Sequence, residues 1–195
     1  MNLFPRSGLL NHAVAPTWEF WPDTKAGVAV MSDEAPEAGI QVLAGAIGGD
    51  INHNVAMQCA IGALEEGIDY YISYIIRPGI ANYAFIREGA NSQGASHKTW
   101  FDLANRTFGS LSSTHRNPIM QYLEDGLLRI GLAYTPEDLD TAIQNTQILG
   151  FSQGNGQNTF VATEGEHLAD FFHAQIEVGN HPSAPEVTWP GKGQN

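Results

Sequence analysis

The apolar and polar positions of this chain fall into short segments with a strand-like period and longer segments with a helical period. The clearest strand signal is a pair of β-branched and aromatic runs, residues 70–76 and 80–86, on either side of Arg77-Pro78-Gly79. This pattern predicts a hairpin around a Pro-Gly turn, and the continuous apolarity of the first run predicts burial on both faces. The other predicted strands are short and cover residues 27–31, 40–44, 99–103, 106–111 and 159–162. Of these, 99–103 and 106–111 are predicted to form a second hairpin joined at Ala104-Asn105.

Four further segments repeat apolar residues at a spacing near 3.6, which predicts helices. The strongest start is Thr135-Pro136-Glu137-Asp138, where a capping hydroxyl and a proline precede two acids at the positive end of the helix dipole. Thr163 and Glu166 match a capping box. The predicted helices cover residues 52–67, 117–130, 135–148 and 163–176, and the second of them is expected either to end or to bend at Gly126. The order of elements predicts an α+β fold, a mainly antiparallel sheet of hairpins packed against three to four helices.

The two ends of the chain are rich in aromatic residues and have little regular period. A segment that buries nothing cannot offset the entropy lost on ordering, so these ends are expected to pack on the core or on a neighbouring subunit. The aromatic residues concerned are Trp18, Phe20, Trp21 and Trp189. The chain therefore divides into an irregular N-terminal arm (1–39), an α+β core (40–178) and a C-terminal tail (179–195).

The charge balance excludes some classes of partner. The 195 residues include 9 lysines and arginines against 21 acids, which gives a net charge of -12. Such a chain is unsuited to neutralising nucleic-acid phosphates or to binding an anionic membrane. Charged residues make up only 15%, against roughly 25% in an ordinary soluble domain, and depletion of lysine and glutamate is typical of subunit contacts.

Targeting signals and cysteine content predict a cytoplasmic protein, or a virion component assembled in the cytoplasm. The N-terminus lacks a basic segment followed by an apolar run, so we expect no signal peptide. No stretch approaches the ~20 apolar residues that cross a bilayer. The single cysteine, Cys59, cannot form an internal disulfide.

Two groups of residues have ligand chemistry suited to a metal. Asp50 and His53 stand at the start of the first predicted helix, where they would form either a metal pair or a polar helix start. Glu166, Asp170 and His173 share one face of the last predicted helix, which is also the pattern of an ordinary solvated face. Since no zinc-binding spacing such as HExxH occurs, the sequence predicts neither a metal nor a cofactor.

Three short elements point to a different chemistry. Arg77 closes a strand, Ser112-Ser113-Thr114 follows another, and Glu164-Gly165-Glu166 comes after a polar loop. This order resembles the Arg, Ser-Thr-Ser and Glu-x-Glu elements of ADP-ribosyltransferases. The resemblance implies that Arg77 and Ser113 hold a dinucleotide, and that Glu166 stabilises an oxocarbenium-like transition state. The capping box is a second explanation for the glutamates.

The sequence as a whole favours a structural, self-assembling subunit over an enzyme. Aromatic ends that pack on neighbours are a common way to lock closed assemblies, and the expected setting is a phage neck, tail or capsid-associated layer. The expected partners are other copies and assembly proteins, bound through Trp18, Phe20, Trp21 and Trp189, with neither sequence-specific nucleic acid nor membrane. The alternatives are a small enzyme (ADP-ribosyltransferase-like or a metal-assisted hydrolase) and an acidic binding or inhibitory module.

Overall fold

The fold is taken from a computed structural model of the chain. The structure describes residues 18–20, 27–31, 40–44, 55–60, 64–88, 97–136, 146–157 and 165–184. Side chains are described from residue 64 onward within these ranges, except at 88, 146 and 147.

The described residues form twelve strands and include a short 3-10 turn at Glu124–Gly126. The strands are β1 (Trp18–Phe20), β2 (Gly27–Met31), β3 (Ile40–Ala44), β4 (Val55–Ala60), β5 (Tyr70–Pro78), β6 (Tyr83–Glu88), β7 (Lys98–Asp102), β8 (Thr107–Phe108), β9 (Arg116–Tyr122), β10 (Leu128–Tyr134), β11 (Thr146–Ser152) and β12 (His167–Val178).

These strands make two antiparallel six-stranded sheets. Sheet A has the order β1-β4-β11-β6-β7-β8, and sheet B has the order β2-β3-β12-β5-β10-β9. Their central quartets are β4-β11-β6-β7 and β3-β12-β5-β10, and the chain crosses between the sheets at most connections. This is the strand order of a jelly roll, two Greek keys folded into a double sheet. The strands β1, β2, β8 and β9 extend its edges.

The core lies between the two sheets and is aromatic and aliphatic. Alternate residues of a strand point to the same face, so Ile72 and Tyr74 of β5 point inward together with Ile130 and Leu132 of β10. The ring centroids of Tyr74 and Phe171 are 6.1 Å apart. Sheet A contributes inward residues from β6, β7 and β11, which are Ala84, Ile86, Phe101, Leu149 and Phe151.

The outward faces of the central strands are also buried. In sheet B, Tyr71, Ser73 and Ile75 are no more than 2% exposed although they point away from the core. In sheet A, Phe85 and Trp100 are equally buried on the outer face. The predicted two-sided burial of residues 70–76 is therefore confirmed.

The predicted α+β class is wrong, because the described residues contain no α-helix. The helices predicted over 52–67, 117–130 and 163–176 are replaced by β4, by β9 with the start of β10, and by β12. The helix predicted over 135–148 ends in β11, and residues 137–145 lie outside the described part. Accordingly, the described part also contains no helix long and apolar enough to span a membrane.

Several of the strand predictions are confirmed. Those over 27–31 and 40–44 are confirmed by β2 and β3, and the second predicted hairpin is confirmed by the antiparallel pairing of β7 with β8. The first predicted hairpin is wrong, because β5 and β6 belong to opposite sheets. The strand predicted over 159–162 lies outside the described residues.

A β-bulge explains the wrong prediction for the last helix. The register between β12 and β5 shifts between Phe171 and His173, so Phe172 is an extra residue. Phe171 packs in the core, while Phe172 packs on the outer face with Ile75 and Leu127. The extra residue breaks the two-residue alternation of β12, and the resulting apolar spacing imitates a helix.

Candidate functional site: a polar seat for the C-terminal tail

Among the described residues, the densest cluster of buried polar side chains lies on the outer face of sheet B. The register places Ser73 of β5 between Gln175 of β12 and Gly131 of β10. Ile75 lies in the same way between His173 and Arg129. Because side chains alternate along each strand, these residues share one face. All the polar residues among them are at most 3% exposed.

Arg129 is the central charge of this face. Its Nε and Nη2 donate to Ser73 Oγ at 3.1 and 3.0 Å, and its Nη1 donates to the carbonyl oxygen of Ser183 at 2.7 Å. Burial lowers the pKa of Arg129, and the charge of Glu177 opposes that effect. A buried guanidinium is stable only where its donors are satisfied, and Ser183 satisfies one of them.

Two side chains of β12 bind the same serine. Gln175 Nε2 donates to Ser183 Oγ at 2.9 Å, and the Ser183 backbone N–H donates to Glu177 Oε1 at 2.8 Å. Gln175 also donates to Glu177 Oε1 at 3.3 Å. The N–H, the carbonyl and the hydroxyl of Ser183 are therefore all bound by buried side chains. We call Ser73, Arg129, Gln175 and Glu177 the tail seat.

The chain reverses direction between the end of β12 and Ser183, and other contacts hold this turn. Gly179 N–H donates to the carbonyl oxygen of Asp69 at 2.8 Å. Asn117 Nδ2 donates to the carbonyl oxygen of Asn180 at 2.8 Å, and Tyr71 OH donates to that of Asn117 at 3.0 Å. The first residues of the tail thus lie over their own sheet.

His173 lies beside the tail seat. The bulge at Phe172 places it on the outer face, where its side chain is 3% exposed. Burial, followed by the nearby positive charge of Arg129, lowers its pKa to about 4, and a hydrogen bond with Gln175 opposes the shift. Its Nε2 has no hydrogen-bond partner among the described residues. The imidazole is therefore neutral at pH 7.

The structure does not bring together the three residues of the ADP-ribosyltransferase resemblance. Arg77 lies at one end of β5, 3.4 Å from Asp170 and over the ring of Phe172, and Glu166 is exposed just before β12. Ser113 is exposed in the loop before β9, whose Arg116 contacts Asp69 at the other end of β5. The two ends of β5 are about 26 Å apart.

The other predicted site residues are placed as follows. Asp50, His53, Trp21 and Trp189 lie outside the described residues, whereas Trp18 and Phe20 belong to β1, which pairs with β4. Asp170 contacts His167 at 2.7 Å, and the predicted trio with Glu166 and His173 loses its helical basis because the segment is a strand. No group of three or more potential metal ligands occurs in the described part of the chain.

The outer face of sheet A has a different character. Phe85 and Trp100 are adjacent there, with ring centroids 4.7 Å apart. The Phe85 ring covers Gly150, because a Cβ on that glycine would lie 2.0 Å from Phe85 Cζ. Lys98 Nζ lies 4.9 Å from the same ring, and burial lowers its pKa to about 8. The described residues of this face are held mainly by apolar packing. They include no cluster of hydrogen-bonding side chains like the tail seat.

No protein-family model matches the chain, and no curated protein sequence matches it. These comparisons give no support to a phage neck or tail assignment. Sequence reasoning also missed the tail seat. Its one visible signal is Arg129 between Leu128 and Ile130, a charge in an alternating segment whose other outward residues, Gly131 and Ala133, are small.

Proposed function

We propose that the protein is a structural subunit that assembles with copies of itself, in a shell or a capsid-associated layer. The proposal rests on one observation. Buried polar side chains bind the start of the C-terminal tail to one sheet of the jelly roll. Jelly rolls are widely used by viral capsid subunits. Because a shared fold does not imply a shared function, this part of the proposal is an analogy.

The tail seat favours a structural role over a catalytic one. Arg129, Gln175 and Glu177 each form a hydrogen bond with Ser183 of the same chain. A catalytic group needs access to a substrate, but these side chains are at most 9% exposed. The composition points the same way, because lysine is depleted at the buried centre of subunit contacts and this chain has only three lysines.

The expected partners are neighbouring copies, and the expected place of assembly is the cytoplasm. Contacts through Trp18, Phe20, Trp21 and Trp189 remain a prediction. With a net charge of -12, an assembled surface would repel nucleic-acid phosphates. Such a surface could lie beside DNA or RNA without gripping it.

Sedimentation velocity of the full chain over a hundredfold range of concentration tests the proposal. We expect a species several times the 21.1 kDa mass of one chain, and a shift toward monomer when residues 1–24 are deleted. The exposed-surface variant Ser113→Ala is the matched control and should sediment like the parent. A parent chain that stays monomeric at every concentration would contradict a self-assembling role.

A further inference from the structure

We propose that the tail seat of one copy accepts the tail of a second copy, so that two chains exchange residues 180–184 across a two-fold axis. The axis would lie at the end of sheet B where β12 ends and β5 begins. This inference rests on the proposed function, and it names the surface and the partner of one assembly contact.

The tail seat recognises mainly backbone groups of the tail. It binds the backbone N–H, the carbonyl and the hydroxyl of Ser183. Asn117 likewise binds a backbone carbonyl, that of Asn180. None of these bonds requires the tail to come from the same chain. The tail of an identical copy would make the same set.

The connection between the end of β12 and Ser183 is short. Ser183 bonds to Glu177, six positions earlier in the sequence, so residues 179–182 must reverse the chain. Gly179 adopts a φ of +130°, which favours glycine, and Pro182 has a fixed φ and no backbone N–H. Short hinge loops favour exchange of terminal segments between copies. If extended, four residues would span about 13 Å.

An exposed apolar patch lies beside this hinge. Val178 is 67% exposed, the highest value among the large hydrophobic residues described, and Ile68 is 37% exposed. Both lie at the same end of sheet B, since Val178 pairs with Tyr70 and Gly179 bonds to Asp69. A two-fold contact at this end would place the same patch of both copies face to face, as isologous interfaces do. The exchange would therefore bury the patch as it extends the hinge.

Cross-linking between two differently tagged chains tests the exchange. One chain carries Asn117→Cys and the other Asn180→Cys, both in a Cys59→Ser background, and the two are co-expressed and treated with a short thiol-reactive cross-linker. Each chain then has one thiol, so the bond between these positions forms only in trans. We expect a covalent product of both tags at twice the 21.1 kDa chain mass.

Two controls separate failure of the exchange from failure of the proposed function. The pair Ala104→Cys and Asn180→Cys should give no product, because Ala104 lies in the turn between β7 and β8 on sheet A. The double variant Asn117→Cys/Asn180→Cys in one chain reports tail binding in cis. If sedimentation shows an oligomer but only this intrachain product forms, the exchange is wrong and assembly stands. If the parent is monomeric, both proposals fail.

Discussion

The outer faces of the two sheets are both buried, yet they are built from opposite chemistry. On sheet A, Phe85, Trp100 and Ile148 form an apolar layer around Gly150. On sheet B, the tail seat binds Ser183 through directed hydrogen bonds. Apolar packing is non-directional and tolerates many partners of similar shape. Hydrogen bonds to one residue instead fix which segment lies on the face and in which register.

This difference predicts where each face is vulnerable. The apolar face should fail when its shape changes, and the polar face when a partner is removed, because a buried charge or donor left unpaired costs far more than the bond is worth.

Replacing Arg129 should cause the largest loss. Arg129→Met leaves Glu177 without its nearby positive charge and removes the donors to Ser73 and Ser183, so we expect the free energy of unfolding to fall by about 3–5 kcal/mol. Urea denaturation measures it. The control is Arg77→Met, whose side chain is 39% exposed and lies 3.4 Å from Asp170, and which should cost at most about 1 kcal/mol. Equal losses would contradict a central role for Arg129.

His173 should make the polar face sensitive to acid. Its pKa is about 4 in the folded protein against 6.5 ordinarily, so the unfolded chain binds the proton more readily. Stability is therefore complete above pH 6.5 and declines as the pH falls to about 4, by roughly 3 kcal/mol. Urea denaturation from pH 7.5 to 4 should show a smaller decline in His173→Gln than in the parent. Parallel curves would refute the assignment.

The apolar face should instead respond to added volume. Gly150→Ala places a methyl group against the Phe85 ring, and we expect a loss of about 2–3 kcal/mol. The double variant Gly150→Ala/Phe85→Leu removes the ring, so its loss should be smaller than the sum of the two single losses. Strict additivity in this cycle would show that the ring does not rest on Gly150.

The smallest effect should come from a single hydroxyl of the tail. Ser183→Ala removes the bond from Gln175 but keeps the backbone bonds to Arg129 and Glu177. We expect a loss of about 1 kcal/mol by thermal or urea unfolding. Ser113→Ala, exposed in its loop, should be neutral. A neutral Ser183→Ala would mean that the hydroxyl contributes nothing to tail binding.

The sequence was informative where apolar runs are continuous and short. β2 and β3 have the predicted bounds, and the run that opens β5 is buried on both faces as its composition indicates. In β10 the alternation of Leu128, Ile130 and Leu132 is a strand pattern. However, Leu128 and Ile130 also continue the helical spacing of the apolar residues in β9, and together they predict a helix. The reason is that an edge strand with Pro118 in its middle has a weak strand signal of its own.

No sequence pattern predicts the tail seat. Gln175 and Glu177 lie in a segment whose bulge imitates a helix, where polar residues predict a solvated face. Arg129 comes from a different strand and Ser183 from the tail, and only the strand order brings them together. The sequence predicts burial on both faces only for residues 70–76. On the other strands, polar residues on the outer face therefore predict exposure to solvent and not a covering segment.

Amide hydrogen exchange of Ser183 tests most directly whether the tail is held on sheet B, by its own chain or by a neighbour. Its N–H donates to the buried Glu177 carboxylate at 2.8 Å. We predict exchange at least about 100-fold slower than in an unstructured peptide, and a clear acceleration in Glu177→Ala. Exchange at the unstructured rate in the full-length protein would contradict the tail seat and the proposals built on it.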